Sequence, residues 1–209
     1  MRVLFVCTGN VCRSVMAEAL MQSRADAKCW ALTAVSAGLT GEGATPPRRT
    51  IEVMRRRGID VSTHRSIRLT QQEVNDADLI LGSGPEHVWA AAVLDPDAAG
   101  RAFTLMEFVR LGQEIAGLEA PPLDAWIRKL DGARHDHDAP TGRDITIEDP
   151  KGKLRRVHER VALEIERLVL ALCNLIAPAM RPVRRKVSEN AIDLASPMTT
   201  APPPGREAS

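Results

Sequence analysis

The sequence lacks the features that would suggest a nucleic-acid or membrane protein. It has no tyrosine, 3% aromatic residues, and 28 Lys and Arg against 27 Asp and Glu, which leaves a formal charge of +1. So small a net charge does not produce the basic field that most nucleic-acid binders need. No apolar run reaches the about 18 residues that cross a bilayer. We therefore expect no nucleic acid and no membrane among the partners.

The first residues also lack the pattern of a secretory signal. The stretch MRVLFVCTGN has only a short apolar run before it turns polar, whereas a signal peptide needs a longer apolar segment and a cleavage site. These features predict a cytoplasmic protein. In that compartment the four cysteines are expected to be thiols rather than structural disulfides, so each can pack in the core, ligate a metal or act as a nucleophile.

The first predicted structural unit is a strand, a loop and a helix. Residues 2–6 form a short apolar run that ends in a glycine-containing turn, as in a strand buried on both faces. A helical spacing of apolar residues begins near Ser14, and we expect this serine to cap the helix.

The same alternation recurs along the chain. Further strands are expected at 31–36, 78–81 and 102–105. Four further helices are expected: one at 47–57, one that starts after a capping box at Thr70 and Glu73, one that ends at residue 94, and one over 154–176. Alternating strands and helices favour an α/β fold: a doubly wound parallel four-stranded sheet with helices on both faces. A phosphate-binding loop is expected after the first strand.

Two segments interrupt this alternation. Residues 113–148 contain a short helical pattern at 123–130 within a polar loop that has glycine and proline, and we expect a mobile excursion above the sheet. Residues 181–209 have little periodic apolar content, which predicts a disordered tail. The predicted domain therefore covers residues 1–180, with 113–148 as an expanded region.

The loop after the first strand combines a cysteine with an arginine. Cys7 ends the strand, and Arg13 stands six positions later, where the helix begins. That spacing alone is easily met by chance, but a loop before a helix N-terminus directs several backbone N–H groups and the helix dipole to one point. Arg13 can add a bidentate grip on two anion oxygens, and Gly9 lets the backbone turn tightly. We infer a site for a phosphate-like dianion.

The same electrostatic field acts on the Cys7 sulfur. The helix dipole and the Arg13 cation both favour a thiolate over a thiol. A thiolate at the base of a phosphate cradle lies in line to attack phosphorus and form a phosphocysteine intermediate. From this loop alone, an ordinary buried cysteine at the end of a strand remains the alternative.

Such an attack needs an acid that protonates the leaving oxygen, and two Asp-Pro pairs are candidates. Asp95 precedes a proline after the helix that ends near residue 94, and it is more typical of a helix end. Asp149 precedes a proline just before the closing helix, where the proline would stiffen the presentation of the carboxyl group. We favour Asp149, and an ordinary acidic turn residue is the alternative.

Several motifs, in one order, resemble the low-molecular-weight protein tyrosine phosphatases, which are related to thiol-dependent arsenate reductases. The motifs cover residues 1–177 and are CTGNVCRS followed by MAEAL, SAG, GIDVSTHRSIRLT, DADLIL and DPKG. The resemblance implies that Cys7 is the nucleophile, Arg13 the phosphate-binding arginine and Asp149 the general acid. The phosphate-binding residues that it implies are Thr8, Gly9, Asn10, Val11, Cys12, Arg13 and Ser14. The hydrogen-bond network that it implies comprises Asn10, Ser14, Ser36 and His64. His64 by itself would be more typical of a satisfied loop histidine.

The sequence departs from this family at the rim of the pocket. Where the family often has aromatic residues, this chain has GEGATPP and Lys151. The lost stacking, about 0.5–1.5 kcal/mol per ring pair, weakens the expected selectivity for phosphotyrosine. Val11 replaces the threonine of related protein arginine phosphatases, which favours aryl phosphates. The resemblance also implies that Cys12 can form a reversible disulfide with Cys7 under oxidation.

The resulting expectation is a cysteine-dependent phosphatase that uses no cofactor and acts on a phosphorylated protein or a small phosphate ester. The HDHD run at 135–138 could bind a metal, but alternating polar residues in such a loop are usually solvated, so we expect no metal. Two alternatives stay open. One is an arsenate reductase that uses an external small thiol, because the further cysteines of the thioredoxin-coupled enzymes are missing after 78–81. The other is a phosphate-binding module without catalysis.

Overall fold

Four parallel strands form one sheet in the structure, a computed structural model that describes residues 1–115, 122–136 and 145–180, without the side chains of 135 and 136. The strands are β1 (Arg2–Cys7), β2 (Thr33–Gly38), β3 (Leu79–Gly82) and β4 (Ala102–Thr104). Their order across the sheet is β2-β1-β3-β4. β1 lies between β2 and β3, so the strand that follows β1 in sequence is on one side of it and the next strand, β3, is on the other. This reversal opens a crevice at the carboxyl ends of the strands.

The described helices follow the strands in alternation. They are α1 (Arg13–Ala27), α2 (Arg48–Arg55), α3 (Gln71–Asn75), α4 (Pro85–Leu94), α5 (Leu105–Ile115), α6 (Leu123–Asp136) and α7 (Arg155–Ile176), with 3-10 turns at Pro96–Arg101 and Ala177–Ala179. No helix within the described ranges combines the length and the apolar character needed to cross a membrane.

The central strand β1 supplies side chains to two cores. Val3 and Phe5 face a larger core that includes residues of α1, α5, α6 and α7, whereas Leu4 and Val6 face a smaller core with residues of α3 and α4. All four side chains are almost fully buried, which explains why this strand is a continuous apolar run. The predicted doubly wound α/β fold, with helices on both faces, is therefore confirmed.

Most predicted elements lie where the sequence patterns place them, with small shifts at their ends. β2 covers Thr33–Gly38 rather than 31–36, and α2 covers Arg48–Arg55 rather than 47–57. The predicted cap at Thr70 is present, because its side chain accepts a hydrogen bond from the Glu73 N–H at the start of α3.

The described part of region 113–148 differs from the expected mobile excursion. α5, which the sequence analysis did not predict, continues through Ile115, and α6 extends well past residue 130. Leu130 is fully buried, and the Phe108 and Trp126 rings meet edge to face with centroids 5.3 Å apart. Polar residues near the end of α5 hid the apolar stripe that packs it on the core.

The remaining expectations for these regions lie outside the described residues. Residues 116–121, 137–144 and 181–209 are not described, and neither are the side chains of 135 and 136. The disordered tail and the domain limits of 1–180 therefore stay predictions.

Leu130 tests whether α6 belongs to the core. Leu130→Ala is expected to lower the free energy of unfolding by about 2–5 kcal/mol, because it leaves a cavity among packed side chains. Lys129→Ala is the matched control, because Lys129 is next to Leu130 in sequence but its side chain is exposed. This variant should change the free energy of unfolding by less than about 0.5 kcal/mol. Denaturant unfolding measures both. Equal stabilities of the two variants would show that α6 does not pack on the core.

Candidate active site

The loop between β1 and α1 lies at the carboxyl edge of the sheet and turns at Asn10. Asn10 has a φ of 49°, in the left-handed region that asparagine tolerates better than most residues. Gly9 does not adopt a positive φ, and a Cβ there would lie 3.7 Å from Val11 Cγ2, an ordinary contact. The expectation that Gly9 makes the turn possible is therefore corrected: Asn10 adopts the demanding conformation.

The Cys7 sulfur lies at the base of this loop and has two hydrogen-bond partners. The Asn10 N–H donates to Sγ at 3.2 Å, and Ser14 Oγ lies 3.0 Å from it. Asn10 Nδ2 donates to the same Ser14 oxygen at 3.0 Å, which leaves the serine proton free to donate to the sulfur. Both groups contact a sulfur that is buried from solvent.

Ser14 thus has a different role from the one that its position suggested. α1 begins at Arg13, its N-cap is Cys12, and no side chain of the described residues caps its first turn. The Ser14 hydroxyl instead contacts Cys7. The expected capping role is wrong, because the Ser14 hydroxyl bonds to the Cys7 sulfur and not to a backbone N–H of the first turn. The spacing of residues near the helix start does not reveal that contact.

The Asn10 side chain joins the loop to β2 and to the segment after α2. Nδ2 also donates to Ser36 Oγ at 2.7 Å, and Oδ1 accepts the Ile67 N–H at 2.9 Å. His64 Nε2 lies 3.0 Å from the Asn10 carbonyl oxygen and 3.2 Å from its Oδ1. Since both partners accept, Nε2 carries the proton. The structure therefore connects Asn10, Ser14, Ser36 and His64 in one network.

This network ends at Glu18, which the sequence analysis did not single out. The Ser36 hydroxyl donates to a Glu18 carboxylate oxygen. Burial raises the pKa of Glu18, and the Ser36 hydrogen bond opposes that shift. The available signal was helical spacing, because Glu18 stands one turn after Ser14 and shares its side of α1.

The Arg13 side chain folds back over the loop and is 4% exposed. One terminal nitrogen donates to Thr8 Oγ1 at 3.2 Å and to Asp149 Oδ2 at 2.8 Å, and the other donates to the Ile147 carbonyl oxygen at 3.2 Å. Its buried Nε finds no hydrogen-bond partner among the described residues. A buried donor without a partner is costly, so this N–H fits an anion oxygen bound at the loop.

Asp149 reaches the mouth of the loop from the segment before α7. Its second oxygen accepts the Lys151 N–H at 3.0 Å, which orients the carboxylate, and Pro150 is buried behind it. The Ile147 N–H donates to the Ser83 carbonyl oxygen at 2.9 Å and thereby ties the segment to the end of β3. The structure thus brings the favoured acid candidate into contact with Arg13.

The competing acid candidate, Asp95, lies at the end of α4. Its carboxylate accepts hydrogen bonds from the Asp97 N–H at 3.1 Å and from the Arg101 guanidinium at 3.1 Å, so it stabilises a turn.

The HDHD run at 135–138 lies outside the residues whose side chains are described. Within the described residues, no cluster of three or more His, Cys, Asp or Glu side chains is placed to hold a metal.

The Cys12 side chain is buried on the inner side of the loop, next to two polar residues that the sequence analysis missed. The Thr50 hydroxyl donates to Cys12 Sγ at 3.3 Å, and Thr50 Oγ1 also lies 3.3 Å from His158 Nδ1. Burial raises the pKa of Cys12 to about 11 and lowers the pKa of His158. Cys12 is therefore a thiol at neutral pH, and its disulfide with Cys7 stays a prediction. No sequence pattern marked Thr50 or His158, which lie within helical segments.

Gly38, the last residue of the SAG motif, lets β2 approach the loop closely. A Cβ on Gly38 would lie 2.8 Å from the Asn10 nitrogen and 2.9 Å from the Asn10 Cβ. That nitrogen carries the N–H that donates to Cys7. A side chain at this position would therefore displace one of the two donors on the sulfur.

Gly38→Ala is expected to lower kcat/KM for a phosphate ester about 10–100-fold, because the added methyl group shifts the Asn10 N–H relative to the Cys7 sulfur. Gly132→Ala is the control, since a Cβ added there on α6 would meet no atom of another described element within 4 Å. That variant should keep its activity and gain up to about 1 kcal/mol of stability from helix propensity. Steady-state kinetics and denaturant unfolding measure these effects. Full activity in Gly38→Ala would contradict the close contact.

Residues 2–125 match the family model described as low molecular weight phosphotyrosine protein phosphatase. The chain is 40% identical over 108 residues to the probable low molecular weight protein-tyrosine-phosphatase EpsP of Ralstonia solanacearum. The aligned region covers 50% of this chain and 70% of that protein. It is 34% identical over 109 residues to a protein-arginine-phosphatase of Geobacillus stearothermophilus, which covers 52% and 71%.

Solved structures agree with these sequence matches. A low molecular weight protein tyrosine phosphatase from T. tengcongensis superposes with a TM-score of 0.64 at 32% identity and covers 83% of this chain and 98% of its own. A variant of the YwlE arginine phosphatase with a phosphorylated active-site serine superposes with a TM-score of 0.65 at 25% identity and covers 85% and 96%. The chain therefore belongs to the low molecular weight phosphotyrosine protein phosphatase family and is a cysteine-dependent phosphatase.

Proposed function

We propose that the chain hydrolyses phosphate monoesters by attack of Cys7 on phosphorus, with Arg13 holding the phosphoryl oxygens and Asp149 transferring the proton. The observation that carries this proposal is the convergence of three groups at one loop. The Cys7 sulfur accepts hydrogen bonds at the base of the loop, and Arg13 folds over the loop to meet Asp149 at 2.8 Å.

Binding comes first and uses groups that are already oriented. The loop precedes the N-terminus of α1, where backbone N–H groups and the helix dipole attract a dianion. The Arg13 Nε–H supplies a further donor. A phosphoryl group that takes one terminal nitrogen of Arg13 competes with the Asp149 carboxylate for it, and this competition releases Asp149 for proton transfer.

The first chemical step transfers the phosphoryl group to sulfur. The Cys7 thiolate forms a bond to phosphorus while the bond from phosphorus to the ester oxygen breaks. Asp149, which takes up a proton from solvent once the phosphoryl group has displaced it from Arg13, gives that proton to the departing oxygen. Arg13 and the loop N–H groups hold the equatorial oxygens, where charge is spread in the transition state.

The second step regenerates the enzyme. Asp149, now a carboxylate, takes a proton from a water that attacks phosphorus, and the bond between sulfur and phosphorus breaks to release inorganic phosphate. The hydroxyl of Ser14, 3.0 Å from Cys7 Sγ, stabilises the departing thiolate. We place the reaction in the cytoplasm, where reducing conditions keep Cys7 and Cys12 free of a disulfide.

The substrate class that we propose is an aryl phosphate on a protein or a small molecule. Val11 supports it, because this apolar residue stands where related arginine phosphatases carry a threonine. The rim supports only weak selectivity for phosphotyrosine peptides. Lys151 occupies it with its Nζ 4.0 Å from the position that a Gly9 Cβ would take, and a lysine offers no ring for stacking.

An arsenate reductase would need a further thiol after arsenate binds to Cys7. Cys173 does not supply it, because its sulfur is buried and contacts the Met21 sulfur at 3.4 Å. Arsenate supplied with glutathione tests for this activity directly.

Asp149→Asn is expected to reduce kcat about 10²–10⁴-fold, because the amide cannot donate an acidic proton to the leaving oxygen. The loss should be larger for an alkyl phosphate than for para-nitrophenyl phosphate, whose leaving group needs little protonation. Asp95→Asn is the matched control, since Asp95 also precedes a proline but lies at the end of α4. A loss below tenfold in Asp149→Asn, or an equal loss in Asp95→Asn, would show that another group is the acid.

Val11→Thr tests the substrate class. The wild-type protein is expected to have a higher kcat/KM for phosphotyrosine than for phosphoarginine. Since the variant gives the loop a hydroxyl in place of a methyl group, it should raise the relative rate on phosphoarginine about 5–10-fold, as one additional hydrogen bond would. Release of inorganic phosphate measures both substrates. A wild-type preference for phosphoarginine would contradict the proposed substrate class but not the mechanism.

A further inference from the structure

A buried histidine lies directly behind the phosphate-binding loop. His87 is in the first turn of α4 and is fully buried. Its Nε2 lies 3.2 Å from Thr8 Oγ1, and its Nδ1 lies 3.2 Å from the Gly84 carbonyl oxygen. The sequence analysis did not single out His87, because the contact joins the ends of two strands that are far apart in sequence.

The partners of His87 determine where its proton lies. A carbonyl oxygen can only accept, so the Nδ1–H donates to Gly84. In the neutral ring Nε2 then accepts the proton of the Thr8 hydroxyl. The Thr8 oxygen keeps its lone pairs for Arg13, which donates to it at 3.2 Å. These bonds form a single directed chain from Arg13 through Thr8 and His87 to Gly84.

The surroundings of His87 keep the ring neutral. Burial lowers the pKa of His87, and the Arg13 cation acts in the same direction. The Glu86 carboxylate, 3.4 Å from Nδ1, the Gly84 carbonyl and the Asp149 carboxylate oppose this shift. A neutral ring is the form that can accept from Thr8, so the chain of hydrogen bonds is complete at neutral pH.

The fold fixes the ring relative to the catalytic loop. A Cβ on Gly82 would lie 2.9 Å from the His87 Cβ, so only glycine at the end of β3 allows α4 to pack this closely. Gly82 pairs with Val6 in β1, and the Ser83 N–H donates to the Val6 carbonyl oxygen at 2.8 Å. His87 is thereby held against the end of the strand that carries Cys7.

We propose that His87 is a positioning residue, which orients the Thr8 hydroxyl as an acceptor and so aligns the Arg13 guanidinium for the substrate dianion. The inference rests on the proposed function. Arg13 shares one terminal nitrogen between Thr8 and Asp149, and Asp149 must leave that nitrogen to transfer a proton. Thr8 then remains its partner on the loop. Without His87, the Thr8 hydroxyl can rotate and present its proton to Arg13.

Paired variants separate positioning from packing. Thr8→Val removes the hydroxyl at nearly constant shape, whereas Thr8→Ser keeps it. His87→Leu removes the acceptor, whereas the amide oxygen of His87→Gln can replace it. The Kd of inorganic phosphate, measured by calorimetry on each full-length variant, reports the alignment of Arg13 without turnover.

Thr8→Val and His87→Leu are each expected to raise the Kd of phosphate about 5–10-fold, as the loss of one hydrogen bond would. Thr8→Ser and His87→Gln should stay within about twofold of the wild type. Because both losses act on one chain of bonds, the double variant should bind phosphate no more weakly than the weaker single variant.

Three results would overturn the inference: a Thr8→Val protein that binds phosphate as tightly as the wild type, losses that add in the double variant, or a His87→Gln protein whose Kd rises as far as that of Thr8→Val. The last comparison decides the matter for His87 if His87→Leu does not fold. The proposed function fails separately, in a wild-type protein that neither binds phosphate nor hydrolyses para-nitrophenyl phosphate.

Discussion

The hydrogen bonds on the Cys7 sulfur are the interaction on which the rest of the site depends. Groups fixed by the fold can replace the water that a buried sulfur loses, and the Asn10 N–H and the Ser14 hydroxyl contact Cys7 Sγ in this way. Asn10 in turn is held by Ser36 and His64, so hydrogen bonds to distant elements fix the shape of the loop. Such fixed donors need little reorganisation when charge develops during the reaction, which is the main source of catalytic power in sites of this kind.

The doubly wound fold assembles the site from distant parts of the sequence. β1 supplies the sulfur, the end of β2 lies against the loop at Gly38, and β3 leads into the helix that carries His87. The segment before α7 then crosses the mouth of the loop and brings Asp149 to Arg13. These elements meet because parallel strands place all their carboxyl ends at one edge of the sheet.

Local patterns predicted the fold and the loop, while contacts between distant elements escaped them. The continuous apolar strands and the loop before a helix gave correct predictions because each is a property of a few neighbouring residues. Ser14 was assigned to a helix cap, and Gly9 to the tight turn that Asn10 makes, because local spacing cannot choose between two possible partners. Glu18 and His87 act through contacts with β2 and with the loop, which the order of residues along the chain does not display.

The most direct measurement of the central claim is the capture of a covalent intermediate on Cys7. Asp149→Asn, which lacks the base for the second step, is mixed with para-nitrophenyl phosphate, denatured at neutral pH within a turnover and analysed by mass spectrometry of the loop peptide. The account predicts a phosphoryl group on Cys7, formed together with one equivalent of para-nitrophenol per protein. Continued turnover with no covalent adduct, or an adduct on another residue, would contradict it.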